Sequence, residues 1–129
     1  YGKILNVASV AAFMPGPIMA GYYASKAFVL SFSQALANEL TDSPVTITTL
    51  CPGPTQTEFQ ARAGIRPMRV TRSLGIQSAA HVAMAGYQGL WRGQSLVIPG
   101  FRNKLSVQAQ RILPRNLAMR IVRKLQEGR

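Results

Sequence analysis

Acidic residues are nearly absent: Glu39, Asp42, Glu58 and Glu127 are the four carboxylates of a 129-residue chain. Spread this thinly they form no obvious pair, which argues against the two-carboxylate chemistry of glycoside hydrolysis. Histidine and cysteine are scarcer still. With His81 and Cys51 the single representatives of their types, neither an internal disulfide framework nor a Cys/His zinc site can be assembled, and no metal site is expected. One His and one Asp also leave little room for a Ser–His–Asp hydrolase, the more so because Ser9 lies outside any Gly-x-Ser-x-Gly elbow. Long hydrophobic runs are missing as well. The apolar stretches fall far short of the roughly 20 residues that cross a bilayer as a helix, and the first residues, Tyr1-Gly2-Lys3-Ile4-Leu5-Asn6-Val7, carry no signal-peptide pattern. A reducing, cytoplasmic setting is the expectation.

What is present suffices for a globular domain. Hydrophobic residues make up 47% of the chain and charged residues 15%, a balance that can close a core and does not suit whole-chain disorder. A single domain is expected at this length. Charge is the unusual quantity. Fifteen Lys and Arg give a formal net charge of +11, and eight of them, against one acid, fall in residues 102–129. The chain therefore divides into a mildly basic body, residues 1–100, and a basic, amphipathic helical tail, residues 101–129. Such a tail can meet phosphates on an anionic surface, although a solvated helix face explains the same charges, and no specific nucleic acid is implied.

The order of elements reads as α/β. Residues 3–8 form a short apolar run closed by Ser9, and residues 45–50, Val45-Thr46-Ile47-Thr48-Thr49-Leu50, are β-branched and end at Cys51-Pro52-Gly53-Pro54; both predict strands ending in loops. Residues 22–40 lack Gly and Pro, and Phe28, Phe32, Leu36 and Leu40 recur every four positions. That spacing predicts a helix with the stripe buried in the core or in a subunit contact. Asp42-Ser43-Pro44 then turns the chain, so the crossover is long enough for a parallel strand pair. Residues 55–75, with Arg62, Arg66, Arg69 and Arg72, read as a long loop or lid holding a short helix. Ser78 suits the N-cap of a helix over 79–91, Arg92-Gly93 ends it, and residues 95–98 form a third strand closed by Pro99-Gly100. From Phe101 a helical piece runs to an interruption at Pro114. Leu117, Ile121 and Leu125 then make a stripe opposite Arg120, Arg123 and Lys124, expected to dock on protein while the basic face makes weak contact with anionic lipid.

Three side chains combine into a chemistry. Ser9 closes the first strand, Tyr22 follows thirteen positions later, and Lys26 stands one helical turn beyond Tyr22. Residues four apart on a helix share a face with Cβ atoms roughly 5–6 Å apart, so the Lys26 ammonium can act on the Tyr22 phenol. A phenol of pKa near ~10 is a poor base at pH 7, but a neighbouring positive charge favours the phenolate. A serine hydroxyl beside it can hold a carbonyl or alcohol oxygen while the phenol exchanges the proton. The triple predicts acid–base chemistry on a carbonyl/alcohol pair.

Asn6-Val7-Ala8-Ser9, the twelve-residue gap, Tyr22-Tyr23-Ala24-Ser25-Lys26, and Pro52-Gly53-Pro54-Thr55-Gln56-Thr57 after the next strand together resemble the short-chain dehydrogenase/reductase family over about residues 2–60. The resemblance implies a Rossmann-like, doubly wound parallel sheet and hydride transfer between a substrate carbon and the nicotinamide of NAD or NADP. It implies that Ser9 orients the substrate oxygen, Tyr22 exchanges the proton, and Lys26 both charges Tyr22 and holds the nicotinamide ribose. Tyr22, Lys26, Pro52, Gly53, Thr55 and Thr57 are then the candidate cofactor contacts, a small carbonyl or alcohol is the implied substrate, and a homo-oligomer is the implied assembly.

The sequence also departs from that pattern. It has no Gly-x-Gly-x-x-Gly and no Thr-Gly-x-x-x-Gly-x-Gly phosphate loop, lacks the family's Asn from an earlier helix, and offers three strands where the whole fold needs about six. The resemblance therefore implies the C-terminal half of the fold, a piece expected to be inactive alone. Two other readings remain beside it: a non-catalytic fragment or pseudo-enzyme serving as an interaction module, and an anionic-surface binder acting through the basic tail. Plain readings apply to the remaining residues: Tyr23 as packing or pocket lining, His81 as a surface or half-buried residue, and Cys51 as a small buried hydrophobe.

Overall fold

The structure is a computed structural model and describes residues 1–58, 62, 64 and 75–127. Its centre is the β-branched segment Val45–Leu50, whose last four residues are buried. Strands covered on both faces favour such residues throughout rather than alternating polar ones. This strand, β2, lies between β1 (Gly2–Val7) and β5 (Leu96–Val97) in a parallel sheet of order β1-β2-β5. Gly2 is opposite Val45 and Val7 opposite Leu50, and Thr49 and Leu50 of β2 face Leu96 and Val97. A second, two-stranded parallel sheet pairs β3 (Thr55–Gln56) with β4 (Gln77–Ser78).

The described residues also include the helices α1 (Ala20–Glu39), α2 (Ala79–Trp91), α3 (Phe101–Ile112) and α4 (Arg115–Glu127), with a 3-10 turn at Val10–Phe13. Alternation along β1 shows that α1 and α2 cover opposite faces of the main sheet, because successive strand side chains point to opposite sides. Asn6 donates from Nδ2 to Ser33 Oγ of α1 at 2.9 Å. Its neighbour Leu5, with Leu50, meets α2 at Gly86, where a Cβ would stand 2.8 Å from Leu50 Cδ2. Glycine there lets α2 approach the sheet closely. The result is a three-layer α/β/α arrangement, the expected fold class.

Ser78 caps α2, its Oγ accepting from His81 N–H at 3.2 Å, and Pro114 separates α3 from α4, both as the sequence predicts. Two expectations are corrected. For the stripe of α1 only the core alternative is corrected and not the subunit contact: Phe28 and Phe32 are half or more exposed, and the buried residues of α1 are Leu30 and Ser33. The Asn6–Ser33 hydrogen bond and Leu30 set the face that α1 turns to the sheet, which leaves the two phenyl rings stacked on each other outside it. On α4 the buried residues are Ala118, Val122 and Gln126, while Leu117 and Ile121 are exposed and Leu125 is half-buried. Gln126 bonds to Tyr23 and Ala118 is small enough for close approach, so the helix docks by that face and not by its leucine–isoleucine stripe. The lid expected over residues 55–75 falls largely on residues 59–61, 63 and 65–74, outside the described residues.

Candidate functional site

The core lies directly under the carboxyl ends of the three main strands. Ala8 after β1, Cys51 after β2 and Ile98 after β5 pack with Ala12 of the 3-10 turn, Leu30 of α1 and Val107 of α3. Each of the first three immediately precedes a loop residue of interest: Ser9, Pro52 and Pro99. Backbone hydrogen bonds extend the ladder past the strands, from Ala8 N–H to Leu50 O at 2.8 Å, Val10 N–H to Pro52 O at 3.0 Å and Cys51 N–H to Val97 O at 2.8 Å. Ser9 is thus pinned between two bonds to the end of β2, beside Pro52.

Ser9 begins the 3-10 turn in an extended conformation, and its Oγ accepts from Ala11 N–H at 3.1 Å. A hydroxyl that accepts there keeps its own proton for another partner. Lys26 extends from the second turn of α1, its Nζ 3.5 Å from Val7 O at the end of β1 and 5.8 Å from the centre of the Tyr22 ring. Among the described residues the ion pairs are Glu58–Arg62 and Glu127–Arg123, so no carboxylate neutralises this ammonium. The same charge reaches the buried Cys51 thiol, which also receives a hydrogen bond from the Ser9 backbone; burial nevertheless dominates and pushes the thiol up from 9.0 to about 11. Cys51 is therefore an inert, protonated core residue at neutral pH.

Ser9 and Pro52 stand side by side at the carboxyl ends of β1 and β2, and Lys26, with the Tyr22 ring next to it on α1, reaches the end of β1. The other candidates differ among themselves. Gly53 packs against the side-chain amide of Asn103 on α3, and a Cβ would occupy the position of that amide. Thr55 donates its hydroxyl to Gly53 O at 2.9 Å and so serves the loop's own conformation. Thr57 is exposed and lines a shallow depression with Gln56, Glu58 and Ala79. Asn103, absent from the sequence reading, is a central support: it is buried and donates from Nδ2 to Pro99 O at 2.9 Å, so one side chain braces the loops after β2 and β5. Gly100, between them, has φ of 89°, a left-handed value that glycine adopts without strain. An asparagine within a polar helix gives no signal of such a role; the glycine that it packs against, already singled out, was the available clue.

On the opposite flank of α1 a groove of about 640 Å³ runs between the 3-10 turn and the α3–α4 junction, lined by Phe13, Met14, Tyr23, Ala27, Arg111 and Met119 among others. It touches Tyr23 and not Tyr22. The Tyr23 ring lies against Gly16, with its hydroxyl accepting from Gln126 Nε2 at 3.3 Å, which is the packing role expected for it.

Known proteins share this fold. A diacetyl reductase, (S)-acetoin forming, from Staphylococcus epidermidis is 36% identical over 78 residues, which is 60% of this chain and 30% of the relative. A short-chain dehydrogenase from Sphingobium yanoikuyae, solved in complex with NADPH, superposes with a TM-score of 0.66 at 31% identity, covering 84% of this chain and 42% of that one. A short-chain dehydrogenase/reductase from Burkholderia phymatum, solved in complex with NAD, gives a TM-score of 0.66 at 25% identity, covering 81% of this chain and 45% of the other. The chain thus spans less than half the length of these proteins, as a part of a Rossmann-like fold. The short chain dehydrogenase family matches residues 1–66, half of the chain and the half that holds Ser9, Tyr22, Lys26 and Pro52-Gly53, and the chain belongs to that family.

Proposed function

We propose that the whole protein of which this chain is part interconverts a carbonyl and a secondary alcohol with NAD or NADP. The observation that carries the reading is the placement of the Lys26 ammonium between the end of β1 and the Tyr22 ring, with Ser9 two residues beyond the Val7 carbonyl and its hydroxyl still having a proton to donate. Cofactors of α/β folds bind at the carboxyl ends of parallel strands, and the residues there suit the nicotinamide end of a dinucleotide: an uncompensated ammonium to donate to ribose hydroxyls, and a Pro-Gly turn close to the Ser9 backbone. When bound, the nicotinamide supplies or accepts the hydride. The chain's own residues do the rest. Ser9 donates to the substrate oxygen and fixes its direction, Tyr22 gives or takes the proton at that oxygen, and Lys26 holds positive charge beside the phenol while binding ribose. Pro52 and Thr57 contact the cofactor, and Gly53 and Thr55 shape the loop that presents them.

Residues 1–100 form the catalytic portion in this reading and residues 101–129 a basic tail. The exposed Phe28–Phe32 stack, with ring centres 5.5 Å apart, is a surface that a homo-oligomer covers. A lone buried thiol fits a cytoplasmic location.

The test follows reduced-nicotinamide absorbance for the full-length protein with a panel of ketones and alcohols and either cofactor. Turnover is expected, with Ser9→Ala and Lys26→Met each lowering kcat about 10²–10⁴-fold. A folded full-length protein that turns over nothing in the panel, or variants as fast as the parent, overturns the reading.

A further inference from the structure

We propose that the α3–α4 helix pair seats the protein on an anionic lipid bilayer, with Phe101, Leu105 and Ile112 entering the headgroup layer. The inference is independent of the catalytic reading. At 100° per residue the three positions fall within about 40° of one another around α3, and the buried residues of the helix, Asn103 and Val107, lie on the opposite side. Phe101 is 74% exposed, Leu105 54% and Ile112 85%. This apolar stripe therefore faces directly away from the rest of the described chain. Lys104 and Arg111 flank it on one side, and α3 contains no acidic residue. On α4 the pattern repeats: Leu117 and Ile121, which the docked face leaves exposed, stand beside Arg120 and Lys124 rather than opposite them as the sequence predicts. Glu127, the single acid of the pair, is held by Arg123 at 2.7 Å.

Charge and apolar surface together select the partner. A solvated helix face accounts for the cations but not for large apolar side chains aligned at its outermost line, since exposed apolar surface costs free energy. A second copy of the chain accounts for the apolar stripe but would bring two strongly basic surfaces together, and like charges in apposition oppose association. An anionic bilayer satisfies both: phosphates and carboxylates for the cations, and the acyl boundary for Phe101, Leu105 and Ile112. No helix among the described residues is long and apolar enough to cross a membrane, so the contact made by this pair is peripheral. Salt separates the two contributions. Charge contacts weaken as ionic strength rises, whereas apolar entry persists, so a salt-resistant fraction of binding belongs to the α3 stripe.

Sedimentation of the full-length protein with vesicles of phosphatidylcholine alone, or mixed with phosphatidylserine, tests this at low and high salt. Binding to the phosphatidylserine vesicles is expected, with a fraction that survives high salt. Ile112→Glu and Leu105→Glu remove that fraction and weaken binding at least tenfold. Lys104→Gln and Lys124→Gln each weaken binding at low salt about fivefold. Because all four side chains are exposed, thermal unfolding of the variants matches the parent. The proposal is overturned by absence of binding to phosphatidylserine vesicles, by complete release at high salt, or by unchanged binding of Ile112→Glu and Leu105→Glu. It is also overturned if either glutamate variant converts an oligomer to a smaller species in light scattering, which makes the stripe a contact between copies.

Discussion

Gln126, in the last turn of α4, donates a 3.3 Å hydrogen bond to the phenol oxygen of Tyr23, at the start of α1. The bond ties the last helix to the first and assigns Tyr23 to packing, where its ring also lies against Gly16. Tyr22, with its ring edge-on to Tyr23 at 6.0 Å, stands on the side of Lys26. One residue, a rotation of about 100° around the helix, thus separates a structural tyrosine from the proposed reactive one.

Substitution distinguishes the two. In the full-length protein Tyr22→Phe is expected to lower kcat about 10²–10⁴-fold with unfolding unchanged. Tyr23→Phe keeps kcat within a few-fold and lowers the unfolding free energy by about 0.5–1.5 kcal/mol, the range for one lost hydrogen bond. Steady-state kinetics and denaturant unfolding on both variants decide it, and the reverse pattern removes the assignment of Tyr22.

Gly53 and Asn103 are coupled. Gly53→Ala drives a methyl group into the buried Asn103 amide and is expected to cost about 1–3 kcal/mol as overpacking. In the Asn103→Ala background the amide is gone, so the same substitution costs less. A double-mutant cycle on unfolding free energies measures the difference; additive costs contradict the packing account.

Much of the fold was legible because strong local signals and tertiary demands agree. β2 matches the sequence reading residue for residue, α2 begins and ends where Ser78 and Arg92-Gly93 place its boundaries, and Pro114 separates the last two helices. The faces of helices were harder. In α1 a regular Phe–Leu stripe outweighs a serine by any hydrophobic count, yet Ser33 is fully buried because Asn6, on a strand paired only in three dimensions, offers it a partner. Likewise Gln126 is buried by Tyr23 and Asn103 by Gly53 and Pro99, contacts that no periodicity encodes. The short parallel pair Thr55–Gln56 with Gln77–Ser78 escaped notice because two residues carry no strand signal. For the candidate site, the spacing of Ser9, Tyr22 and Lys26 was readable along one strand and one helix; the bracing by Asn103 was not.

Alkaline pH weakens the fold through Cys51. Its thiol is raised in the folded state from 9.0 to about 11 by burial, so the stability that it contributes is fully present below pH 9 and is lost as the pH rises through about 11. Between those values wild-type stability should fall more steeply than that of Cys51→Ala, in which this titration is absent. Denaturant unfolding of both proteins across the range checks it, and parallel curves count against the burial argument.

The 129-residue chain on its own should associate with itself. β1 pairs with β2 along one edge, no described strand covers its other edge, and Ile4 and Val7 are exposed. Open strand edges with apolar neighbours invite pairing between chains. Light scattering should show species larger than a monomer, and calorimetry only weak affinity for NAD or NADP, since the chain has no Gly-rich phosphate loop. A monodisperse monomer with micromolar affinity contradicts both expectations.

The strand pairings of the main sheet all join residues more than forty positions apart, and each becomes possible only after a helix has carried the chain back across the sheet. Among the described residues no hairpin is available to start the process. Assembly of this region is therefore governed by how soon α1 and α2 form and collapse onto the apolar residues of β2, and the chain must close large loops before any ladder stabilises it. Substitutions that strengthen α1 on its solvent side, touching neither the core nor the candidate site, become the natural means of hastening folding, whereas changes within β2 act on the point where every long-range closure converges.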